Sequence, residues 1–362
     1  MSLSASRLLE CGLSCEINES SRSVYSENFR ADKSGTSPSL LELDITRLPS
    51  SVMTELNPTI IAGGFPCQSF ASHGKREGFE NPQTGGLFMH VVRLVSAARP
   101  KVVLLENVRG LLNHEGGQTM SVVIRSLEKL GYHVHYELMN AKSLLPQIRS
   151  RVLIVAFLEK TVSERFRFPI LPNLNRTLLS ELEVTSPEEG GFVHLTDTQW
   201  NKINSTAYFK EFPESRVADL SGPARTLCSL YKTGAKMYSQ FIPVQEGGPP
   251  RFLTIRECCR LQGFPESFLL PHGFEPRNEF YKMIGNAVPV PLITSVALEV
   301  ERALWPERGV DSDMVMVKVL KDASREPEEV ERKWHDAMKL LVEGGDEGEG
   351  SADKGNKRSK HN

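Results

Sequence analysis

The sequence predicts an α/β fold built on a largely parallel sheet, joined to a smaller and irregular second region. Three observations predict it. Short apolar, β-branched runs alternate with helix-periodic stretches up to about Leu158. Several of these runs end in residues that can do chemistry, which places them along the edge where open α/β sheets bind ligands. From Leu158 to about Pro250 the alternation fails, and scattered Pro, Gly and polar residues replace it.

In chain order, Ser20 to Phe29 reads as an amphipathic helix, and Leu40 to Ile45 reads as a strand carrying Asp44 near its end. Thr59-Ile-Ile-Ala62 is a buried strand, and Gly63-Gly64 ends it with residues that tolerate unusual backbone angles. Pro66 fixes its own backbone and restricts Phe65, so Cys67 is held on a stiff turn. Ser69 to Gly86 is a polar, glycine-bearing loop, and Leu87 starts the next helix. A second apolar strand, Lys101 to Val108, delivers Glu106 and Asn107 where it ends. Gly117 to Leu130 is a helix and Tyr132 to Met139 a strand. Gln147-Ile-Arg149-Ser-Arg151 then leads into the strand Arg151 to Leu158, with two guanidinium groups entering from one side. Thr254-Ile-Arg-Glu257 is a capping box and Gly263 a stop signal, so Ile255 to Gln262 is a helix. The helix after Pro291 packs back on the sheet, Glu326 to Val342 is a charged helix, and Gly344 to Asn362 reads as disordered.

Composition narrows the function. Six cysteines at irregular spacing, without C-x-x-C pairs, fit a reducing interior and suggest no metal site. No apolar run approaches membrane-spanning length on this reading, which argues against a bilayer role. The formal charge of −2 argues against a uniformly basic nucleic-acid binder. Lys and Arg nonetheless gather in Lys142 to Arg176 and Lys202 to Arg260, whereas Glu326 to Glu349 is acidic. Taken alone, Cys67 is a small buried hydrophobe more often than a nucleophile. Its neighbours reverse that reading, because thiol, acid and cations converge on one sheet edge. The residues alone leave open that Glu106 or Asn107 caps the following turn, and that Arg149 and Arg151 are surface cations.

Six blocks, in order, resemble the DNA (cytosine-5) methyltransferase family: GGFPCQSF, SHGKREGFENPQTGGLF, ENVRGLL, QIRSRVLIVAF, RFLTIRECCRLQGFPESF and YKMIGNAVPVPL. They cover the chain from about Glu10 to Trp305. The resemblance implies a Rossmann-like, S-adenosylmethionine-dependent sheet that is incomplete at its N-terminal side. It also implies a division into a catalytic domain over 1–158, a target-recognition region over 159–250, a supporting and returning segment over 251–306, and a charged tail over 307–362. S-adenosylmethionine is the implied cofactor and DNA the implied partner. Transfer RNA is the alternative, although its cysteine-phenylalanine-threonine signature has only the poor match Leu227-Cys228-Ser229 here. A catalytically inactive nucleic-acid scaffold is the third reading. A monomer is expected, with protein partners for any chromatin targeting, and Lys357-Arg358-Ser-Lys360 weakly resembles a nuclear import cluster.

The resemblance also assigns residues. Cys67 is the nucleophile that adds to carbon 6 of cytosine, Glu106 meets ring nitrogen 3, and Arg151, with Arg149 beside it, meets the carbonyl oxygen at position 2. Glu16, Ile17, Asp44, Ile45, Phe65, Leu87, Asn286 and Val288 match cofactor-binding positions. Pro66, Gln68, Ser69, Asn107 and Arg225 match substrate-binding ones, and Gln83 departs from an Arg often found at its position. The family's opening strand and glycine-rich loop have no counterpart in the sequence, since Ser6 to Leu13 resembles only the end of the helix that follows them. Loss of a central strand would leave its neighbours with unpaired backbone groups. An upstream start, a degenerate protein and a strand supplied by a partner each account for this, and the first is preferred because the later catalytic positions are intact.

Overall fold

The structure is a computed structural model, and it describes residues 11–29, 39–41, 44–65, 86–183, 194–212, 216–232, 239–244, 249–270, 277–308, 315–316 and 319–320. β1 (Leu13–Cys15) and β2 (Ser39–Leu41) pair in parallel, with helix α1 (Glu19–Phe29) between them in sequence. After α2 (Ser50–Leu56) come β3 (Ile60–Gly64), α3 (Leu87–Ala98), β4 (Val102–Val108), α4 (Gln118–Lys129), β5 (His133–Asn140) and β6 (Ser150–Phe157). These four strands form a second sheet in the order β3-β4-β6-β5. Among the described residues the two sheets are not joined, and nothing in them corresponds to the family's opening strand. The expected strand Leu40 to Ile45 is shorter, and Asp44 lies beyond it in a turn.

The sheet is mixed rather than largely parallel. β3 runs parallel to β4, but β6 is antiparallel to both β4 and β5. Connection length explains the difference. A parallel neighbour needs a crossover of a dozen or more residues, and between β5 and β6 the chain has only the 3-10 turn Ala141–Ser143 and a few residues more.

Period-two alternation sorts the strand side chains into two cores. Val103, Leu105, Val152 and Ile154 face Val95 of α3 and Val123 and Leu127 of α4. Val102, Leu104, Leu153 and Val155 face the opposite side. There α10 (Val290–Leu304) presents Leu292, Val296 and Val300 at four-residue spacing, a helical stripe that fits the sheet. Pro291 sits in the first turn of α10, where its missing N–H costs nothing. Each such side chain, fully buried, contributes about 1.5–3 kcal/mol.

The 159–250 region divides differently from expectation. Val162 of α5 (Lys160–Arg165) and Phe166 stay in the sheet's core. From Leu178 onward a separate core forms, taking in Ile203 of α6 (Asp197–Asn204), with α7 (Ala207–Glu211) beside it in sequence. It continues through Phe241 and Phe252, the cysteines of α8 (Ile255–Leu261), and Phe280, Tyr281 and Ile284 of α9 (Arg277–Asn286). The expected absence of a membrane-length run is corrected here. Asn278–Leu304 is long and apolar enough by composition, but its most apolar 18-residue stretch is 61% buried and a turn separates α9 from α10, so it belongs to the core.

Candidate active site

Three elements bring the site together. Glu106 follows Val102 and Leu104 on the face of β4 turned toward α10, and Arg151 precedes Leu153 and Val155 on the same face of β6. The Arg151 Nε stands 2.7 Å from the Glu106 Oε1, an ion pair in which the N–H is not aimed along the N···O line. Both side chains are largely sequestered, at 9% and 15% exposure. Burial pushes the Glu106 carboxyl above its usual value, although Arg151 and Arg149 pull it down. Desolvation outweighs the guanidinium charges here. Arg151 also donates from Nη1 to the carbonyl of Ser150 at 2.8 Å.

β3 sets the third side. Gly64 pairs in register with Glu106, and a Cβ placed on Gly64 would come within 3.3 Å of the Glu106 Oε2. The carboxyl therefore lies against bare backbone at the point where the chain leaves the sheet toward Cys67. Asn107 fixes that exit, because its Nδ2 donates to the Phe65 carbonyl at 2.7 Å while its Oδ1 accepts from the Val108 N–H at 2.8 Å. Both ends of the Asn107 amide thus bind backbone, the capping role that the residues alone left open. The Phe65 ring packs in the core against Phe88, with centroids 5.0 Å apart. Pro66, Cys67, Gln68, Ser69 and Gln83 lie outside the described residues.

Arg149 departs most from the sequence expectation. It is fully buried, and its Nη1 donates to the Leu227 carbonyl at 2.6 Å. Its Nη2 donates to the carbonyls of Gly285 and Ala287 at 2.9 and 2.7 Å. Burial pushes its pKa down, to about 9. These bonds direct it at backbone, leaving Arg151 as the guanidinium beside the acid.

A cavity of about 290 Å³ opens beside Glu106. Phe29, Ala62, Gly63, Gly64 and Val288 line it, joined by Phe264 from the second core and Ile293 from α10. Nothing lies within 4 Å of a Cβ placed on Gly63. Phe29, Phe264 and Ile293 escape sequence reasoning because no local pattern separates a cleft-lining apolar residue from a core one. Glu16, Ile17, Asp44, Ile45, Leu87, Phe65 and Asn286 do not line this cavity. Glu16 accepts from the Asn18 N–H at 2.7 Å, and Ile17 is 66% exposed. Asp44 accepts from the Thr46 N–H at 2.9 Å, and that bond holds its carboxyl below the usual value. The Ile45 carbonyl accepts from Arg93, Leu87 opens α3, and Asn286 is exposed.

Arg225 lies at a second cavity, of about 370 Å³, with Ile148, Leu227, Cys228, Tyr231 and Gln240. Gly285 permits close approach as expected, but to this segment. A Cβ there would fall 2.4 Å from the backbone carbon and oxygen of Cys228.

A mixed sheet with helices on both faces is consistent with the α/β fold of the S-adenosylmethionine-dependent methyltransferases. The chain belongs to the C-5 cytosine-specific DNA methylase family, whose model matches residues 1–302. It is 33% identical over 296 residues to the type II methyltransferase M.MspI of Moraxella sp., covering 82% of this chain and 66% of that one. It is 34% identical over 296 residues to M.DsaV of Dactylococcopsis salina, covering 80% and 78%. The chain thus spans about two thirds of the Moraxella relative's length. In fold it is similar to the crystal structure of S. pombe Dnmt2 methyltransferase, with a TM-score of 0.63, 16% identity, and coverage of 83% of this chain and 94% of that one. Enzymes of the family take their methyl group from S-adenosylmethionine. The cavity fits such a group: uncovered glycine backbone and the aromatic walls of Phe29 and Phe264 suit a flat nucleoside.

Proposed function

We propose that this chain methylates cytosine at carbon 5 in DNA through a covalent adduct on Cys67. The observation that carries the reading is the Glu106–Arg151 pair, set against Gly64 at the mouth of an apolar cavity, three residues before Cys67. When bound, S-adenosylmethionine supplies the methyl group. Phe29, Val288 and the Gly63–Gly64 backbone would hold it, with Glu16 and Asp44 assigned to its ribose and adenine ends by family resemblance. The target base leaves the helical stack before it reacts. The Cys67 sulfur, as thiolate, bonds to carbon 6, and the carbon 5–carbon 6 π pair becomes available at carbon 5. Glu106, protonated, donates to ring nitrogen 3 and relieves the charge that builds there. Arg151 donates to the carbonyl oxygen at position 2. After methylation, a water takes the proton from carbon 5, its electron pair re-forms the carbon 5–carbon 6 double bond, and the Cys67 sulfur leaves carbon 6 as thiolate.

A DNA duplex carrying 5-fluorocytosine tests the scheme. The fluorine cannot leave as a proton does, so enzyme, DNA and methyl donor should accumulate a denaturation-resistant adduct that Cys67→Ser abolishes without loss of fold. An adduct that persists in Cys67→Ser would move the nucleophile elsewhere, and adduct formation on fluorinated transfer RNA alone would move the substrate. A second reading, a nucleic-acid binder without turnover, draws on the separation of β1–β2 from the main sheet among the described residues. Absence of heat on titration with S-adenosylmethionine would favour it. The two curated relatives named above are bacterial, and they lend no support to the nuclear placement suggested by Lys357-Arg358-Ser-Lys360.

A further inference from the structure

The Arg149 guanidinium bridges the walls of the two cavities. On one side it holds the Leu227 carbonyl, at the wall of the larger cavity in the second region. On the other it holds the carbonyls of Gly285 and Ala287, in the turn that leads to Val288 at the wall of the cavity beside Glu106. We propose that Arg149 is a positioning residue that couples the two cavities, so that a cofactor held against Val288 orders the 224–231 segment before nucleic acid arrives. The inference rests on the cofactor assignment made above.

Slack in the joint would absorb any movement, and the geometry leaves little. The Gly285 backbone packs so closely on Cys228 that even a methyl group would collide at 2.4 Å. A displacement of the 285–288 turn must therefore displace 227–228. A second bridge runs alongside. The Gln147 Oε1 accepts from the Leu227 N–H at 3.0 Å, and its Nε2 donates to the Leu261 carbonyl at 2.7 Å. The next residue, Gln262, accepts from the Val290 N–H at 2.8 Å through its backbone and donates from its side chain to the Ile284 carbonyl at 2.8 Å. Val290 also lines the cavity beside Glu106. Gln147, Arg149 and Arg151 occupy alternate positions of one extended segment, so the coupling is built into the stretch that carries the proposed substrate-binding guanidinium. Coupling of two sites through such a joint is reciprocal.

Hydrogen–deuterium exchange on the full chain tests this without knowledge of the target sequence. Saturating S-adenosylhomocysteine alone should slow amide exchange in peptides covering 224–231 by about fivefold or more, the lower range of allosteric coupling. In Arg149→Lys, which keeps the charge but cannot reach three carbonyls in one plane, that slowing should disappear while protection of β6 remains. A structural role alone would not make exchange at 224–231 depend on a ligand bound elsewhere. Binding of S-adenosylhomocysteine with unchanged exchange at 224–231 in the wild type overturns the coupling, and a slowing that survives in Arg149→Lys overturns the part assigned to Arg149 in it. The wild-type measurement decides even where the variant fails to fold. Absence of any binding heat removes the cofactor assignment itself, and this inference with it.

Discussion

Glu106 is where two opposing effects meet, and their balance sets a testable pH dependence. Burial raises its carboxyl above the ordinary value of 4.5, against Arg151 and Arg149, which lower it. The sign follows from linkage: the folded chain keeps a proton that the unfolded chain loses, so this stabilisation is complete below about pH 4.5 and declines as pH rises through the folded value. In Glu106→Gln the decline is absent, and the stability of the wild type relative to the variant should fall as pH rises from 4.5. Turnover should follow the same group, because only the protonated carboxyl donates to ring nitrogen 3. Glu106→Gln should lose about 10²–10⁴-fold in kcat/KM and lose the alkaline limb of its pH profile. A limb that persists in the variant belongs to another group. The placement of Glu106 and Arg151 was legible in the sequence, since one lies near the end of a strand and the other near the start of its antiparallel neighbour, and the pattern located both strands. Arg149 was not legible in the same way, because a guanidinium aimed at three backbone carbonyls and one aimed at substrate have the same spelling.

At the scale of elements, local signals were read well and pairing direction was not. Helix α8 begins at Ile255 behind the expected capping box, with the Thr254 hydroxyl accepting from the Glu257 N–H and the Glu257 carboxylate accepting from the Thr254 N–H. It ends before Gly263, whose φ of +74° suits glycine. Each signal sits within four residues of its effect. The direction of β6 depends instead on the length of the chain joining it to β5, which single-strand patterns do not encode. The structure also gives Glu257 a second task that the capping box does not reveal. Fully buried, it takes a bidentate pair from Arg251, with both N···O distances at 2.8 Å, and a bond from the Glu183 N–H at 2.8 Å. Thr254→Ala should therefore cost about 1 kcal/mol, the worth of a cap. Glu257→Ala should cost about 3–5 kcal/mol, because it strands the Arg251 guanidinium in the core. Urea denaturation of both variants checks the ordering, and equal losses would reduce Glu257 to a capping residue.

For the whole molecule, the gathering of Lys and Arg between 142 and 260 suggested a nucleic-acid face, and the structure shows how far that inference reaches. Many of those cations are committed internally. Arg149 and Arg216 are fully buried on backbone carbonyls, and Arg165 binds the Ala303 carbonyl at the end of α10. Arg176 pairs with the buried Glu181 at 2.6 Å, Arg251 with Glu257, and Arg260 with Glu266 at 2.6 Å. Apart from Arg165, which ties α5 to α10 at the sheet, these arginines bind within or onto a core that has little regular secondary structure, which is why its composition looked basic while its fold stayed illegible. The cations remaining for phosphate are fewer than the sequence implies. Each phosphate neutralised on duplex DNA contributes a slope of about −0.9 to log Kobs against log salt concentration, so a face with fewer available cations gives a slope well short of about −10. Binding of a cytosine-containing duplex, followed between 50 and 200 mM salt (about the range over which many-contact proteins lose most affinity), should show this shallow dependence. A slope near −10 would require the internally paired arginines to reach DNA, and with it a rearrangement of the second core on binding.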